Sequence, residues 1–164
     1  MLFRSIERLK VKKQLDIACF GAIRPLKNQL LQAVAAIEFV EKIGKTVNFH
    51  INAGRVEMNG SPVLHNITGL FKQVYDRGHR LTMHTWTPQD QFLDLCSAMD
   101  LGMQVSFSET FNIVSADLLS QGVPIVGSYE IPWMSSHLHH PDPTNSDAIA
   151  RALKDAYNFP WLNV

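Results

Sequence analysis

Cysteine is scarce in this chain: 164 residues contain only Cys19 and Cys96. Both lie in apolar patterns and share no metal-type spacing, so the expectation is buried free thiols in a reducing compartment rather than a disulfide framework. No sign of charge dominates either. Fifteen basic residues face fifteen acidic ones, with a pI near 7.1, which removes the electrostatic case for a nucleic-acid partner. No apolar run is long enough to span a bilayer, and the start "MLFRSIERLKVKKQ" lacks the apolar core of a signal peptide. A soluble, cytoplasmic protein is expected. The absence of G-x-G-x-x-G disfavours a nicotinamide dehydrogenase, and the absence of G-x-S-x-G disfavours a Ser–His–Asp hydrolase. His137, His139 and His140 lie in a proline-rich loop without a nearby Cys or Glu pattern, so no metal site is read there.

What is present is a core. With 46% hydrophobic residues, the chain is expected to form one domain over 1–164, without repeats or low-complexity tracts. Residues 1–14 read as linker-like. Their cations (Arg4, Arg8, Lys10, Lys12, Lys13) suit an interdomain linker, or alternatively a partner or peripheral membrane contact.

Strand-like and helix-like segments alternate. "LDIACFG" (15–21), "TVNFHINAG" (46–54), "RLTMHTW" (80–86), "LGMQVS" (101–106) and "PIVGS" (124–128) read as strands. Helical periodicity runs through 28–44, 64–78, 88–99 and 145–158, with Pro88 at a permitted first-turn position and Asn145 or Ser146 as a cap. Repeated β-α units of this length predict an α/β, Rossmann-like parallel sheet with helices on both faces. Ligands of such folds bind beyond the carboxyl ends of the strands. Two of the loops there carry most of the chemistry.

In "GAIRPLKN", Arg24 and Lys27 stand at the entrance to a helix, where cations and free backbone N–H groups suit a phosphate; a solvated turn is the plain alternative. In "SETFNIVSADLLSQGVPIVGS" (108–128), Glu109 stands before a helical pattern and Asp117 lies eight positions on. Two acceptors so placed suit an extended ligand with hydroxyls at both ends and an anionic middle facing the N–H groups of Phe111, Asn112 and Ile113. The plain alternative is a helix-dipole partner and an exposed helix residue. Trp86 and His84 either border the site or pack at its rim. Trp133 either faces the ligand or packs in its loop.

The second motif resembles the S-x-x-E-x-F-G-x-x-x-x-E-A-x-x-x-G-x-P-V-V signature of retaining glycosyltransferases with the GT-B fold, the family 4 and glycogen-synthase-like enzymes. "GAIRPLKN" is similar to their G-R-x-x-x-x-K-G loop, and the likeness runs from Leu15 to about Tyr157. It implies the C-terminal, donor-binding half of a GT-B enzyme. The implied ligand is a nucleotide-diphosphate sugar, with no metal or other cofactor. Position by position, Lys27 matches the diphosphate-binding lysine, and Glu109 the catalytic glutamate that contacts the transferred sugar. Asp117 matches the ribose-binding glutamate, and Phe111, Asn112 and Ile113 the segment whose amides meet sugar and phosphate. The chain departs from the pattern in three places. Ala22 replaces the arginine, with Arg24 two positions later; Asn112 replaces a glycine; Asp117 is shorter than glutamate. The resemblance also implies an N-terminal acceptor-binding domain, or a partner chain in its place. Two alternatives share the fold: a non-catalytic nucleotide-binding or interaction module, and a nucleotide-sugar 2-epimerase half.

Overall fold

A computed structural model describes residues 6–134 and 140–160. Five parallel strands form one sheet: β1 (Gln14–Ala18), β2 (Thr46–Asn52), β3 (Arg80–His84), β4 (Leu101–Gln104) and β5 (Ile125–Gly127). Their order is β3-β2-β1-β4-β5. The helices are α1 (Ile6–Val11), α2 (Gln29–Lys42), α3 (Ser61–Gln73), α4 (Gln89–Ser97), α5 (Ile113–Ser120) and α6 (Ser146–Asn158).

The strand order has a physical consequence. The chain builds outward from β1 through β2 to β3, then returns to the other side of β1 for β4 and β5. With right-handed crossovers, α2 and α3 cover one face, and α4 and α5 the other. The packing agrees: α2 lies against α3 and α6, whereas α4 lies against α5. Alternation along β1 divides the core. Leu15, Ile17 and Cys19 join Phe39, Phe49 and Leu153 on one side, while Ala18 and Phe20 join Cys96, Leu118 and Ile125 on the other. Close packing on the second side requires Gly102 in β4, where a Cβ would come within 2.6 Å of Leu118 Cδ1. Between β1 and β4 the strand order reverses, and at such a point the following loops part to leave a crevice.

Most elements fall where periodicity places them, with shifts at their ends. The first strand stops at Ala18, although Cys19 N–H still donates to the His50 carbonyl at 2.8 Å. The third helix begins three residues before its expected start, at Ser61, because Pro62 fits the first turn. It ends at Gln73 and gives way to a 3-10 turn, Tyr75–Arg77, closed by Gly78 at φ 93°. Asn145 caps α6, its side chain accepting from Ala148 N–H at 3.0 Å.

Part of the linker-like segment is folded. Leu9 of α1 is buried, and its carbonyl accepts from the Tyr157 hydroxyl on α6 at 3.4 Å. Lys12 pairs with Asp16 at 3.0 Å and with the fully buried Asp100. Cys19 and Cys96 are free thiols, each pushed up to about 12 by burial. No described helix is long and apolar enough to cross a membrane.

Candidate functional site

Three loops meet above β1 and β4. After β1 the chain turns at Gly21 (φ 118°), whose N–H donates to Asn52 Oδ1 at 2.7 Å. A 3-10 turn, Pro25–Lys27, then carries Lys27 inward, and Asn28 in the left-handed region (φ 61°) leads into α2. The loop after β2 packs beneath, through a parallel bridge between Ile23 and Val56. The loop after β4 carries Glu109.

Lys27 and Glu109 meet. Nζ lies 2.6 Å from Glu109 Oε1, with the side chains only 10% and 4% exposed. The Ser106 hydroxyl donates to the same oxygen at 2.6 Å. A buried pair with a supporting hydrogen bond offsets much of the desolvation cost of both charges. Glu109 lies outside the first turn of α5, which contains no acidic residue. It is therefore no helix-dipole partner. The helix α5 opens at Ile113, four positions after Glu109, with Asn112 as its cap.

Two clefts open on these loops, and Glu109 lines one of them. The larger, about 320 Å³, lies between Gly21, Ala22, Arg55, Trp86, Ile113 and Asp117. The smaller, about 160 Å³, is lined by Arg24, Leu26, Met58, Ser108, Glu109 and Thr110. Asp117 reaches the larger cleft from the second turn of α5 and accepts from Gln89 Nε2 at 3.0 Å. The structure thus puts Ile113 with Asp117, and Arg24 with Glu109, with Lys27 turned onto Glu109. Phe111 and Asn112 line neither cleft. The Phe111 ring lies 5.6 Å from that of Trp133. Asn112, at φ 57°, accepts from Ser115 N–H at 2.8 Å as the α5 cap and donates to Gln104 Oε1 at 3.0 Å. Asparagine tolerates this left-handed conformation where the resembling family has glycine.

A buried amide lattice holds these loops. Gln104 Nε2 donates to the Phe20 carbonyl at 2.7 Å. Gln32 donates to the Lys27 carbonyl at 2.8 Å and accepts from Val105 N–H at 2.7 Å. Asn28 donates to the carbonyls of Val105 and Pro143. Sequence reasoning missed this lattice. Its signal was a polar residue where a stripe or strand is otherwise apolar: Gln32 in "LLQAVAA" and Gln104 in "LGMQV".

A second missed network lies beneath the larger cleft. Asp16 receives His50 Nε2 at 2.8 Å, and His50 Nδ1 meets His84 Nε2 at 2.8 Å. Burial alone would raise Asp16, but hydrogen bonds from His50 and Lys12 hold it down at about 2. Burial, then the neighbouring His50, lowers His84 below its ordinary 6.5. The His84 ring stands edge-on to Phe20, which in turn touches Phe92 on the cleft wall. Of the histidine-rich loop, His137 and His139 lie outside the described residues. Among the described residues no cluster of three His, Cys, Asp or Glu is arranged to hold a metal.

No family model and no curated protein matches the chain. Solved structures do. A UDP-forming α,α-trehalose-phosphate synthase from Burkholderia xenovorans superposes with a TM-score of 0.77 at 11% identity, over 96% of this chain and 42% of its own. A trehalose-6-phosphate structure from E. coli bound with UDP-2-fluoro glucose gives 0.75 at 14%, over 92% and 37%. A trehalose-6-phosphate synthase studied for glycosyltransfer with retention gives 0.71 at 12%, over 94% and 42%. The domain has the fold of one GT-B half. The chain spans about two fifths of the length of these glycosyltransferases, and at such identity the likeness is one of fold.

Proposed function

We propose that this domain binds a nucleotide-diphosphate sugar and forms the donor half of a retaining glycosyltransferase. The observation that carries the reading is the division of the site. A larger cleft contains Asp117 and the first residues of α5, and a smaller one contains Glu109 and Arg24. Lys27 touches a wall of each, its Cε 3.8 Å from where a Cβ on Gly21 would lie and its Nζ on Glu109. Nucleoside fits the larger cleft, with Asp117 accepting from ribose hydroxyls. The sugar fits the smaller, beside Glu109.

The diphosphate would then span the gap, facing Lys27, Arg24 and the free N–H groups at the start of α5. As the glycosidic bond breaks, negative charge grows on the leaving diphosphate, and these cations and amides stabilise it. Glu109 is placed to favour the positive charge developing at the reacting sugar carbon. This requires Lys27 to share its ammonium between Glu109 and phosphate. Exposed apolar side chains occur in the segments that follow all five strands, among them Leu26, Met58, Trp86, Phe111, Ile113 and Tyr129. Such a collar suits a companion domain that closes over the ligand and brings the acceptor hydroxyl. The proposed setting is cytoplasmic.

One observation favours a second reading, a nucleotide-binding module without turnover: Lys27 and Glu109 already neutralise each other. Calorimetry with UDP, GDP and ADP, together with a donor-turnover assay, tests both. Binding of a nucleoside diphosphate without sugar transfer by this chain alone is expected of the donor half. Sustained acceptor glycosylation by the chain alone would contradict the half-enzyme reading, and absence of nucleotide binding would contradict both.

A further inference from the structure

The loop that carries Glu109 is clamped at both ends by the segment following β5. At its start, the buried Ser128 hydroxyl donates to the Ser106 carbonyl at 2.7 Å. At its end, Trp133 Nε1 donates to the Phe111 carbonyl, with the two rings tilted by 35°. Between these anchors the Ser106 hydroxyl holds Glu109. The clamp is itself fixed, because Ser128 N–H donates to the Gln104 carbonyl at 2.9 Å and Ser128 Oγ accepts from Glu130 N–H at 3.2 Å.

The loop has little of its own to hold it. Phe107, Ser108, Thr110 and Phe111 are exposed. Phe107 N–H donates to the Leu26 carbonyl at 2.9 Å. Fixing the Phe111 carbonyl also fixes the peptide plane that ends in the N–H of Asn112, the cap of α5. Rotation of that plane would disturb the cap and redirect the next amides.

We propose that Ser128 and Trp133 are positioning residues that set the Glu109 carboxylate and the leading amides of α5. The proposal rests on the donor-site reading and adds that the arm after β5 orders that site. Neither residue touches the ligand in this account; both act through the loop.

The test uses Trp133→Phe, which keeps a ring and removes the donor, and Ser128→Ala beside Ser128→Thr, which restores a hydroxyl. The first readout needs no ligand: the side-chain carboxyl ¹³C resonance of Glu109. Trp133→Phe and Ser128→Ala should move it, and Ser128→Thr should return it toward wild type. The second readout is calorimetry, in which nucleotide-sugar affinity should fall about tenfold in Trp133→Phe while free nucleotide affinity changes less than about twofold. A Glu109 resonance unmoved in Trp133→Phe overturns the positioning role, whatever Ser128→Ala does to folding. A resonance moved in the variants, together with a wild-type protein that binds no nucleotide-sugar, upholds the clamp and overturns the donor-site reading instead.

Discussion

Two lysines in this domain make similar pairs with opposite surroundings. Lys12, at the foot of the sheet, joins Asp16 and Asp100, the latter 88 positions away. Lys27, above the sheet, joins Glu109, 82 positions away. The foot cluster is saturated: Asp100 Oδ2 also accepts from Asp16 N–H at 2.8 Å, and Asp16 receives His50 as well. None of its members lines either cleft. The upper pair stands at the clefts, with Glu109 on the wall of the smaller and Lys27 beside Gly21 of the larger. The same chemistry thus serves as a fixed tie at one end and, on the proposed function, as an exchangeable contact at the other. A tie needs every lone pair satisfied. A contact that yields to an incoming phosphate needs a neighbour able to take the cation away.

The largest effect that should break the comparison is Lys27→Met. It leaves a nearly enclosed carboxylate without its cation, and removal of one partner of a buried pair costs about 3–5 kcal/mol. Urea unfolding should record most of that loss, and the double variant Lys27→Met/Glu109→Gln should recover much of it. Equal losses in the single and double variants would mean that the pair contributes nothing beyond packing.

Next comes the separation of the two carboxylates. Asp117→Ala should weaken both free nucleotide and nucleotide-sugar by roughly 0.5–3 kcal/mol for lost hydrogen bonds. Glu109→Gln should leave free nucleotide binding nearly unchanged and weaken the sugar-bearing ligand. If Asp117→Ala changes melting temperature alone, the helix residue has no ligand.

The smallest expected effect is a pH dependence from the Asp16–His50–His84 network beneath the larger cleft. His84 is held below its ordinary 6.5, so the unfolded chain takes up its proton first as pH falls. Stability should decline from about pH 6.5 toward the lowered value, and His84→Gln should flatten that decline. Asp16, held at about 2, contributes fully above its ordinary 3.8 and is lost only as pH falls through that range toward 2. Urea midpoints at pH 7, 5 and 3 separate the two. An identical decline between pH 7 and 5 in His84→Gln would remove His84 from it.

The sheet was legible because burial on both faces writes itself into composition: "LDIA", "FHIN" and "PIVG" are short runs with few alternatives. The loop positions of Glu109 and Arg24, and the helical position of Asp117, followed from that order. The Lys27–Glu109 contact did not, since no local pattern encodes a meeting of residues 82 positions apart. Glu109 does stand before α5, which begins at Ile113, but the residue that caps the helix was not read from the sequence. That cap is Asn112, whose side chain accepts from Ser115 N–H and donates to Gln104 Oε1 at the end of β4. Polar residues buried in tertiary lattices leave only a weak trace: an unexpected amide in an apolar run.

The donor-site account is tested most directly by following backbone amides in ¹⁵N spectra while a nucleotide-diphosphate sugar is titrated in. The account predicts the largest changes at Gly21, Ala22, Ile113 and Val114 beside the larger cleft, with a concurrent change at Glu109. Saturable changes confined instead to the groove of Phe71, Tyr75, Leu81 and Met83 on the far edge of the sheet, or none at all, would contradict it.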